Sequence, residues 1–146
     1  MVQYFTKEAL QKLKDELKDL IDRQVPETKK LIAQAREFGD LKENAGYHDA
    51  RDKMSFLKGR IEQLEAAINE SVIKEKTGEA KVELGSIVKI NFGGEEQEYE
   101  ISAPTSADIL KNKISYQSPL GQELMGKKSG DNFVFKSVKV KILSII

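Results

Sequence analysis

A narrow apolar stripe between residues 50 and 68 constrains this chain more than any other feature of its sequence. The apolar residues recur at intervals of four, three, four, three and four, and lysine, arginine, aspartate and glutamate dominate the other faces. This spacing keeps one side of a helix apolar, as in the seam of a coiled coil. One partner helix is enough to bury so narrow a stripe. Its members are Ala50, Met54, Leu57, Ile61, Leu64 and Ile68.

The partner helix is predicted directly upstream, because a similar apolar spacing precedes the stripe. It would run from Thr6 to Phe38, a rod on the order of 45–50 Å at the usual rise per residue. Pro26 lies inside this span, where it removes one backbone hydrogen bond and is expected to bend the rod. The predicted seam residues are Leu10, Leu13, Leu17, Leu20, Leu31, Ala35 and Phe38.

The connection between the two helices is short. Gly39 is suited to end the first helix, and Asp40 is suited to cap the start of the second. So short a connection makes the helices antiparallel neighbours. The first half of the chain therefore predicts an antiparallel two-helix coiled coil.

The second half of the chain changes to the alternating pattern of strands. Val88, Ile90 and Phe92 alternate with polar residues, and a Gly93-Gly94 hairpin turn precedes a second alternating run. Further strand candidates surround Ile114 and occupy residues 133–142, and Pro119–Met125 is predicted as a brief helix. The predicted class is α+β, with a hairpin over residues 1–76, a linker over 77–81 and a small domain over 82–146.

Composition excludes several classes of function. Lys+Arg and Asp+Glu both number 24, so the chain lacks the basic excess expected of a protein held to nucleic acid by phosphate neutralisation alone. It has no cysteine, which excludes disulfides, thiolate metal sites and a cysteine nucleophile. No segment has the apolar length of a signal peptide or a membrane span. The expected location is the cytoplasm.

The predicted hairpin has almost no interior, so its chemistry is expected at one end. Asp40 and Glu43 lie three residues apart in the turn, and on the first turn of a helix this spacing brings two carboxylates to one side. Carboxylates are suitable ligands for Mg²⁺, which often takes only one or two from the protein. The same pair also fits a capping box, which satisfies helix amides without any metal. The spacing leaves both interpretations open.

Two separated motifs stand out along the chain. The first is AREFGDLKENAGYHDARDKMSFLKGRIEQLE, residues Ala35 to Glu65, which contains the run GDLKENA. The second is ISYQSPLGQELMGKKSGD, Ile114 to Asp131, which contains SPL, GK and GD. They resemble the GreA/GreB family of transcript cleavage factors, since GDLKENA is close to the family's tip and SPL, GK and GD stand where the family has them. Together with the helix-then-strand layout, the resemblance covers nearly the whole chain.

The resemblance implies a C-terminal domain of FKBP-like fold that docks near the entrance of the secondary channel of RNA polymerase. It also implies that the coiled coil enters this channel, where the polymerase cuts the 3′ end of backtracked RNA. Asp40 and Glu43 match the family's tip acids, and their implied role is to help hold a second Mg²⁺ shared with the polymerase. The chain is then a monomeric cofactor protein, not an enzyme, and binds no cofactor tightly by itself.

Basic residues flank the predicted tip. Arg36 and Arg51 match basic positions of the family, and Lys42 lies between the two acids. Their functional interpretation is contact with RNA phosphates. The alternative is a solvated coiled-coil flank whose cations pair with Glu37, Asp49 and Asp52. His48, the only histidine, is assigned no role, and Leu41 and Tyr47 are expected to pack the turn.

The chain departs from the family pattern at two places. Gly46 stands where the family usually has glutamate, which leaves the tip with fewer acids and weakens the start of the second helix. The C-terminal FKSVKVKILSII is shorter than the family's closing hairpin, so a different pairing of the last strands is expected.

Three other functions compete with cleavage stimulation. The same architecture could inhibit the polymerase without cleavage, although retention of both acids favours the cleavage branch. An FKBP-like fold suggests prolyl isomerisation, but a fold by itself is weak evidence for a function. The alternating pattern also predicts that the aromatic residues pack in the core. A coiled-coil adaptor without chemistry would tolerate neutral residues at the tip.

Overall fold

The computed structural model describes all of residues 1–146, which form two compact units. One unit is Gln11–Asn69, and the other combines Met1–Leu10 with Glu70–Ile146. This grouping differs from the division predicted from the sequence, because a strand near the N-terminus pairs with one that follows the last long helix. The α+β class and the N-terminal helical hairpin are confirmed.

Three α-helices form the hairpin: α1 (Lys7–Asp19), α2 (Val25–Arg36) and α3 (Ala45–Asn69). Two side-chain contacts fix their relative direction. Asn44, directly before α3, donates to the Ala35 carbonyl near the end of α2, and Arg60 donates to Glu16 in α1. From the first contact to the second, the residue number rises from 44 to 60 on the α3 side and falls from 35 to 16 on the other side. The helix α3 therefore runs antiparallel to α1 and α2.

A π-helical segment, Leu20–Gln24, joins α1 to α2. Pro26 has no amide hydrogen, and its ring would collide with the carbonyl four residues earlier in a regular helix. In the segment before it, the Val25 amide donates to the carbonyl of Leu20, five residues back. The wider turn holds one extra residue, so the proline is accommodated without ending the helical rod.

The extra residue moves the inward positions of α2 by one place. Thr28 is fully buried, Ile32 is half-buried and Ala35 is buried. Of the three seam residues predicted after Pro26, Ala35 is right and the other two are wrong, since Leu31 is 47% and Phe38 is 86% exposed. The seam was predicted from a regular apolar spacing continued past Pro26, and such a spacing leaves out the extra residue in Leu20–Gln24.

The apolar stripe of α3 is confirmed with one adjustment. Ala50, Met54, Leu57 and Leu64 are buried, and Ile61 is half-buried. Near the end of the helix Ala67 takes the buried place, and Ile68 is half-buried.

The second unit contains a five-stranded sheet in the order β5-β4-β3-β7-β6. All neighbouring strands are antiparallel except β4 and β5. A separate parallel pair joins β1 (Gln3–Phe5) to β2 (Ser71–Ile73). The sheet strands are β3 (Ile87–Phe92), β4 (Glu95–Ser102), β5 (Lys113–Ser115), β6 (Asn132–Phe135) and β7 (Val138–Ile145), and the helix α4 is Pro119–Leu124.

The core of this unit lies between the sheet and α4, where alternate strand residues and Leu124 are buried. Its members are Val82, Val88, Ile90, Ile101, Leu124, Val140 and Ile142. The aromatic residues predicted as core positions are partly buried and pack against this cluster: Phe92, Tyr99, Tyr116, Phe133 and Phe135. They serve as packing groups, in agreement with the sequence argument against an aromatic-lined isomerase pocket.

Two tight turns close the hairpins of the sheet. Gly93 and Gly94 have φ of 59° and 99° between β3 and β4, which confirms the predicted turn. Between β6 and β7, Lys136 and Ser137 have φ of 48° and 67°, a backbone conformation that residues other than glycine rarely adopt. The last two strands therefore do form a closing hairpin.

Candidate functional site at the hairpin tip

The tip of the hairpin is the loop from Glu37 to Asn44. The helical backbone tightens as it leaves α2, since the Phe38 amide donates to the Ala35 carbonyl and the Gly39 amide donates to the Arg36 carbonyl. Gly39 has a φ of 98°, which ends the helix as the sequence predicts. Regular helix resumes only at Ala45.

Asn44, not Asp40, caps α3. Its Oδ1 accepts from the Tyr47 amide at 3.0 Å, and its backbone carbonyl accepts from the His48 amide. These are the two bonds of an N-cap residue. Its Nδ2 also donates to the Ala35 carbonyl at 2.6 Å, so one side chain ties both helices together. The predicted cap at Asp40 and its capping box with Glu43 are wrong, because α3 begins at Ala45 and its cap is Asn44, four residues after Asp40.

Asp40 and Glu43 both lie in the loop, and both are exposed. Asp40 Oδ1 accepts from the Lys42 amide at 3.0 Å, a local turn that fixes the aspartate beside its own backbone. Glu43 forms no hydrogen bond or ion pair. The expectation that a helical turn aligns the two carboxylates is therefore replaced by a loop that presents both to solvent.

Tyr47 brings the two predicted tip arginines together. Its side chain is buried, with 7% of its surface exposed. The guanidinium carbons of Arg36 and Arg51 lie 5.8 and 5.7 Å from the centre of its ring, and Arg51 donates to its hydroxyl at 2.9 Å. The hydrogen bond from Arg51, and then the neighbouring guanidinium of Arg36, lower the pKa of the Tyr47 phenol.

The alternative of a salt-bridged flank does not describe these arginines. Neither Arg36 nor Arg51 forms an ion pair with Glu37, Asp49 or Asp52. The pKa of Arg51 is raised mainly by its hydrogen bond to Tyr47, with a smaller contribution from the charge of Asp52. Both side chains are exposed, so their charges face solvent at the tip.

The remaining tip residues have mainly structural contacts. The Lys42 carbonyl accepts from His48 Nε2 at 3.1 Å, which closes the loop onto the first turn of α3, and the Lys42 side chain is exposed. Leu41 is 40% exposed, so Tyr47 alone packs the turn. Sequence reasoning missed Asn44 and His48. Asn44 had a usable signal, because asparagine is a preferred cap and stands three residues before the first buried residue of α3.

The donor chemistry of the tip fits part of a magnesium site. The structure contains no group of three or more His, Asp or Glu side chains arranged to hold a metal ion. Two exposed carboxylates supply hard oxygen ligands, and Mg²⁺ takes as few as one or two of these together with water or substrate oxygens. Asp40 and Glu43 therefore suit a metal whose other ligands come from elsewhere.

A helical hairpin with an acidic, solvent-facing tip, followed by a small sheet domain, defines a class of two-part accessory factors. Residues 3–73 match the family model described as "Transcription elongation factor, N-terminal", and residues 76–146 match "Transcription elongation factor, GreA/GreB, C-term". The chain belongs to the GreA/GreB family of transcription elongation factors.

Individual relatives agree with this assignment. Transcription elongation factor GreA of Thermodesulfovibrio yellowstonii is 40% identical over 136 residues, which span 90% of this chain and 86% of that protein. The GreA protein of Thermoanaerobacter pseudethanolicus is 41% identical, over 96% of this chain and 94% of its own. A solved structure of the transcription factor Gfh1 aligns with a TM-score of 0.51 and 25% identity, over 99% of this chain and 97% of that one. No helix here has both the length and the apolar character needed to cross a bilayer.

Proposed function

We propose that this chain enters the secondary channel of RNA polymerase and stimulates the polymerase's own cleavage of backtracked RNA. The observation that carries the proposal is the pair of exposed carboxylates, Asp40 and Glu43, in the loop at the tip of a two-helix hairpin. A carboxylate in so exposed a place contributes little to folding, so the pair is available for an external site. The chain then works in the cytoplasm as a monomer, and RNA polymerase is its partner.

The polymerase has to supply most of the chemistry. A metal bound there provides Lewis acidity and lowers the pKa of a coordinated water, as in other two-metal hydrolases. Asp40 and Glu43 would hold this Mg²⁺ together with ligands of the polymerase. Alone in water the two carboxylates are an incomplete ligand set, which is why the free chain is proposed to have no nuclease activity.

The loop holds the carboxylates in position. The Lys42 amide donates a hydrogen bond to Asp40 Oδ1, which orients this carboxylate and leaves its Oδ2 free of protein partners. The cap at Asn44 and the His48 bond to the Lys42 carbonyl hold the backbone on the C-terminal side of Glu43. Positioning of ligands before binding lowers the ordering cost at the moment of reaction.

The cations at the tip complement the acids. Arg36, Arg51 and Lys42 are exposed and face solvent without carboxylate partners. Arginine is well suited to phosphate oxygens because its planar fork donates two parallel hydrogen bonds. These residues are proposed to contact phosphates of the extruded RNA 3′ end while the acids serve the metal.

A cleavage assay on a backtracked elongation complex tests the proposal. Addition of the chain is expected to shorten the RNA from its 3′ end, and Asp40→Asn with Glu43→Gln is expected to abolish this effect while polymerase binding persists. A matched control is Glu62→Gln with Glu65→Gln, which removes two exposed charges at the same spacing within α3. The control is expected to cleave like the wild type.

The assay also separates the competing functions. An inhibitor of the same architecture would bind the polymerase and slow elongation without shortening the RNA. An adaptor would bind the polymerase with or without the tip acids, and even the wild-type chain would neither shorten the RNA nor slow elongation. Cleavage that survives the loss of both acids would refute the shared-metal account.

A further inference from the structure

The four arginines of the chain divide into two kinds. Arg23 bonds Asp19 and lies within ion-pair distance of Glu27, and Arg60 bonds Glu16. Arg36 and Arg51 have no carboxylate partner, and both lie against the ring of Tyr47. The only arginines that form no ion pair are thus the two at the tip, and they share one aromatic residue.

The arrangement of these three residues, the tip arginine cluster (Arg36, Tyr47 and Arg51), has a specific physical character. Two cations on different helices converge on one ring, although like charges repel each other. The negative face of an aromatic ring attracts a guanidinium, and the hydroxyl oxygen accepts from Arg51 at 2.9 Å. The ring can hold this position because it is buried between the helices, with 7% of its surface exposed.

Tyr47 also occupies a fixed place in the hairpin. Its amide donates to the Asn44 cap, and the same asparagine is bonded to Ala35, the residue beside Arg36. Arg51 lies one helical turn after Tyr47, where the two side chains are neighbours on the α3 surface. The distance between the two guanidiniums therefore depends on one side chain whose own position is fixed from both helices.

We infer that Tyr47 is a positioning residue that holds Arg36 and Arg51 together as a single phosphate-binding site. The inference deepens the proposed function and rests on it for its biological ligand, a phosphodiester of single-stranded RNA. One phosphate between two guanidiniums would neutralise the converging charges and accept a bidentate bond from each. Tyr47 itself contacts the arginines and not the reacting atoms.

The test uses the full-length free protein and inorganic phosphate as the probe. The Nε–Hε signals of all four arginines are followed by NMR as phosphate replaces chloride at constant ionic strength. Saturable shifts are expected for Arg36 and Arg51, whereas the carboxylate-paired Arg23 and Arg60 are expected to respond weakly and without saturation. Equal responses at all four arginines would mean general ionic attraction and would overturn the inference.

Two variants isolate the role of Tyr47. Tyr47→Phe keeps the ring and removes the hydrogen bond from Arg51, and it is expected to weaken phosphate binding roughly threefold to tenfold, as the net contribution of one typical hydrogen bond implies. Tyr47→Leu also removes the ring and is expected to weaken binding further. Helical content by circular dichroism identifies any variant whose hairpin has changed. Wild-type phosphate affinity in a well-folded Tyr47→Phe would refute the positioning role.

The phosphate measurement is independent of the polymerase. Failure of the wild-type chain to stimulate RNA cleavage would refute the proposed function and leave the phosphate result standing. Conversely, cleavage stimulation combined with unsaturable phosphate shifts would refute the tip arginine cluster alone.

Discussion

Replacement of Asn44 with alanine removes two hydrogen bonds that no other residue of the tip can restore. The Tyr47 amide loses its capping acceptor at 3.0 Å, and the Ala35 carbonyl loses the Nδ2 donor at 2.6 Å. Loss of an N-cap costs about 1 kcal/mol, and a protein hydrogen bond contributes about 1 kcal/mol net. Asn44→Ala is therefore expected to lower the free energy of unfolding of the hairpin by about 2 kcal/mol.

Two comparison variants separate these contributions. Asn44→Asp keeps the capping acceptor and loses the donor to Ala35, so it is expected to lose about half as much as Asn44→Ala, on the order of 1 kcal/mol. Asp40→Ala removes an exposed turn bond to the Lys42 amide and is expected to change stability by less than about 0.5 kcal/mol. The predicted order distinguishes a cap at Asn44 from one at Asp40.

Urea unfolding followed by the helical circular dichroism signal measures all three variants. Amide hydrogen exchange at Tyr47 adds a local measurement, and this amide should exchange faster in Asn44→Ala than in Asn44→Asp. A larger loss of stability for Asp40→Ala than for Asn44→Ala would refute the structural assignment of the cap. Equal losses for Asn44→Ala and Asn44→Asp would show that the cap bond contributes nothing.

Three further predictions concern other positions. Gly46→Ala is expected to raise the free energy of unfolding by about 0.5–1 kcal/mol in urea, because the added methyl would meet its nearest atom, Asn44 Oδ1, at an ordinary 3.5 Å. Gly121→Ala would place a methyl 2.0 Å from the Ser115 carbonyl oxygen, so a loss at the upper end of the roughly 1–3 kcal/mol typical of overpacking is expected in thermal unfolding. Hydrogen bonds from Arg23 and then from Gln24 lower the pKa of Asp19 from 3.8 to about 2. The stabilisation is therefore present above pH 3.8 and lost as pH falls towards 2, and Arg23→Met should move the Asp19 midpoint in an NMR titration back towards 3.8.

Patterns of neighbouring residues correctly predicted the elements whose conformation is set by those residues themselves. The stripe of α3 has an uninterrupted spacing, and it is buried almost as expected. The turn at Gly93-Gly94 was predictable because glycine freely adopts positive φ. The turn at Lys136-Ser137 gave no such signal, since neither residue favours that conformation. Antiparallel pairing of β6 with β7 across this two-residue connection imposes it there.

The predictions from sequence differ from the structure where residues distant in the chain, or one inserted residue, determine the local arrangement. Pairing of β1 with β2 joins residues about seventy positions apart, and no local pattern encodes it. At the tip, Asp40 and Asn44 are both good cap residues, and the choice depends on where packing against α2 lets α3 begin. The acid pair and the arginines could be proposed from sequence, but the contact of both arginines with the Tyr47 ring is evident only in the three-dimensional structure.

The inserted residue in Leu20–Gln24 has a consequence for the opposite end of α2. Each residue turns an α-helix by about 100° and lengthens it by only about 1.5 Å. A residue added to a regular α-helix at that point would thus swing Arg36 around the helix axis and off the Tyr47 ring. The wider turn takes up the extra residue locally instead, so a one-residue deletion there is expected to leave Arg36 beside the ring and to bring the Pro26 ring against the carbonyl four residues earlier.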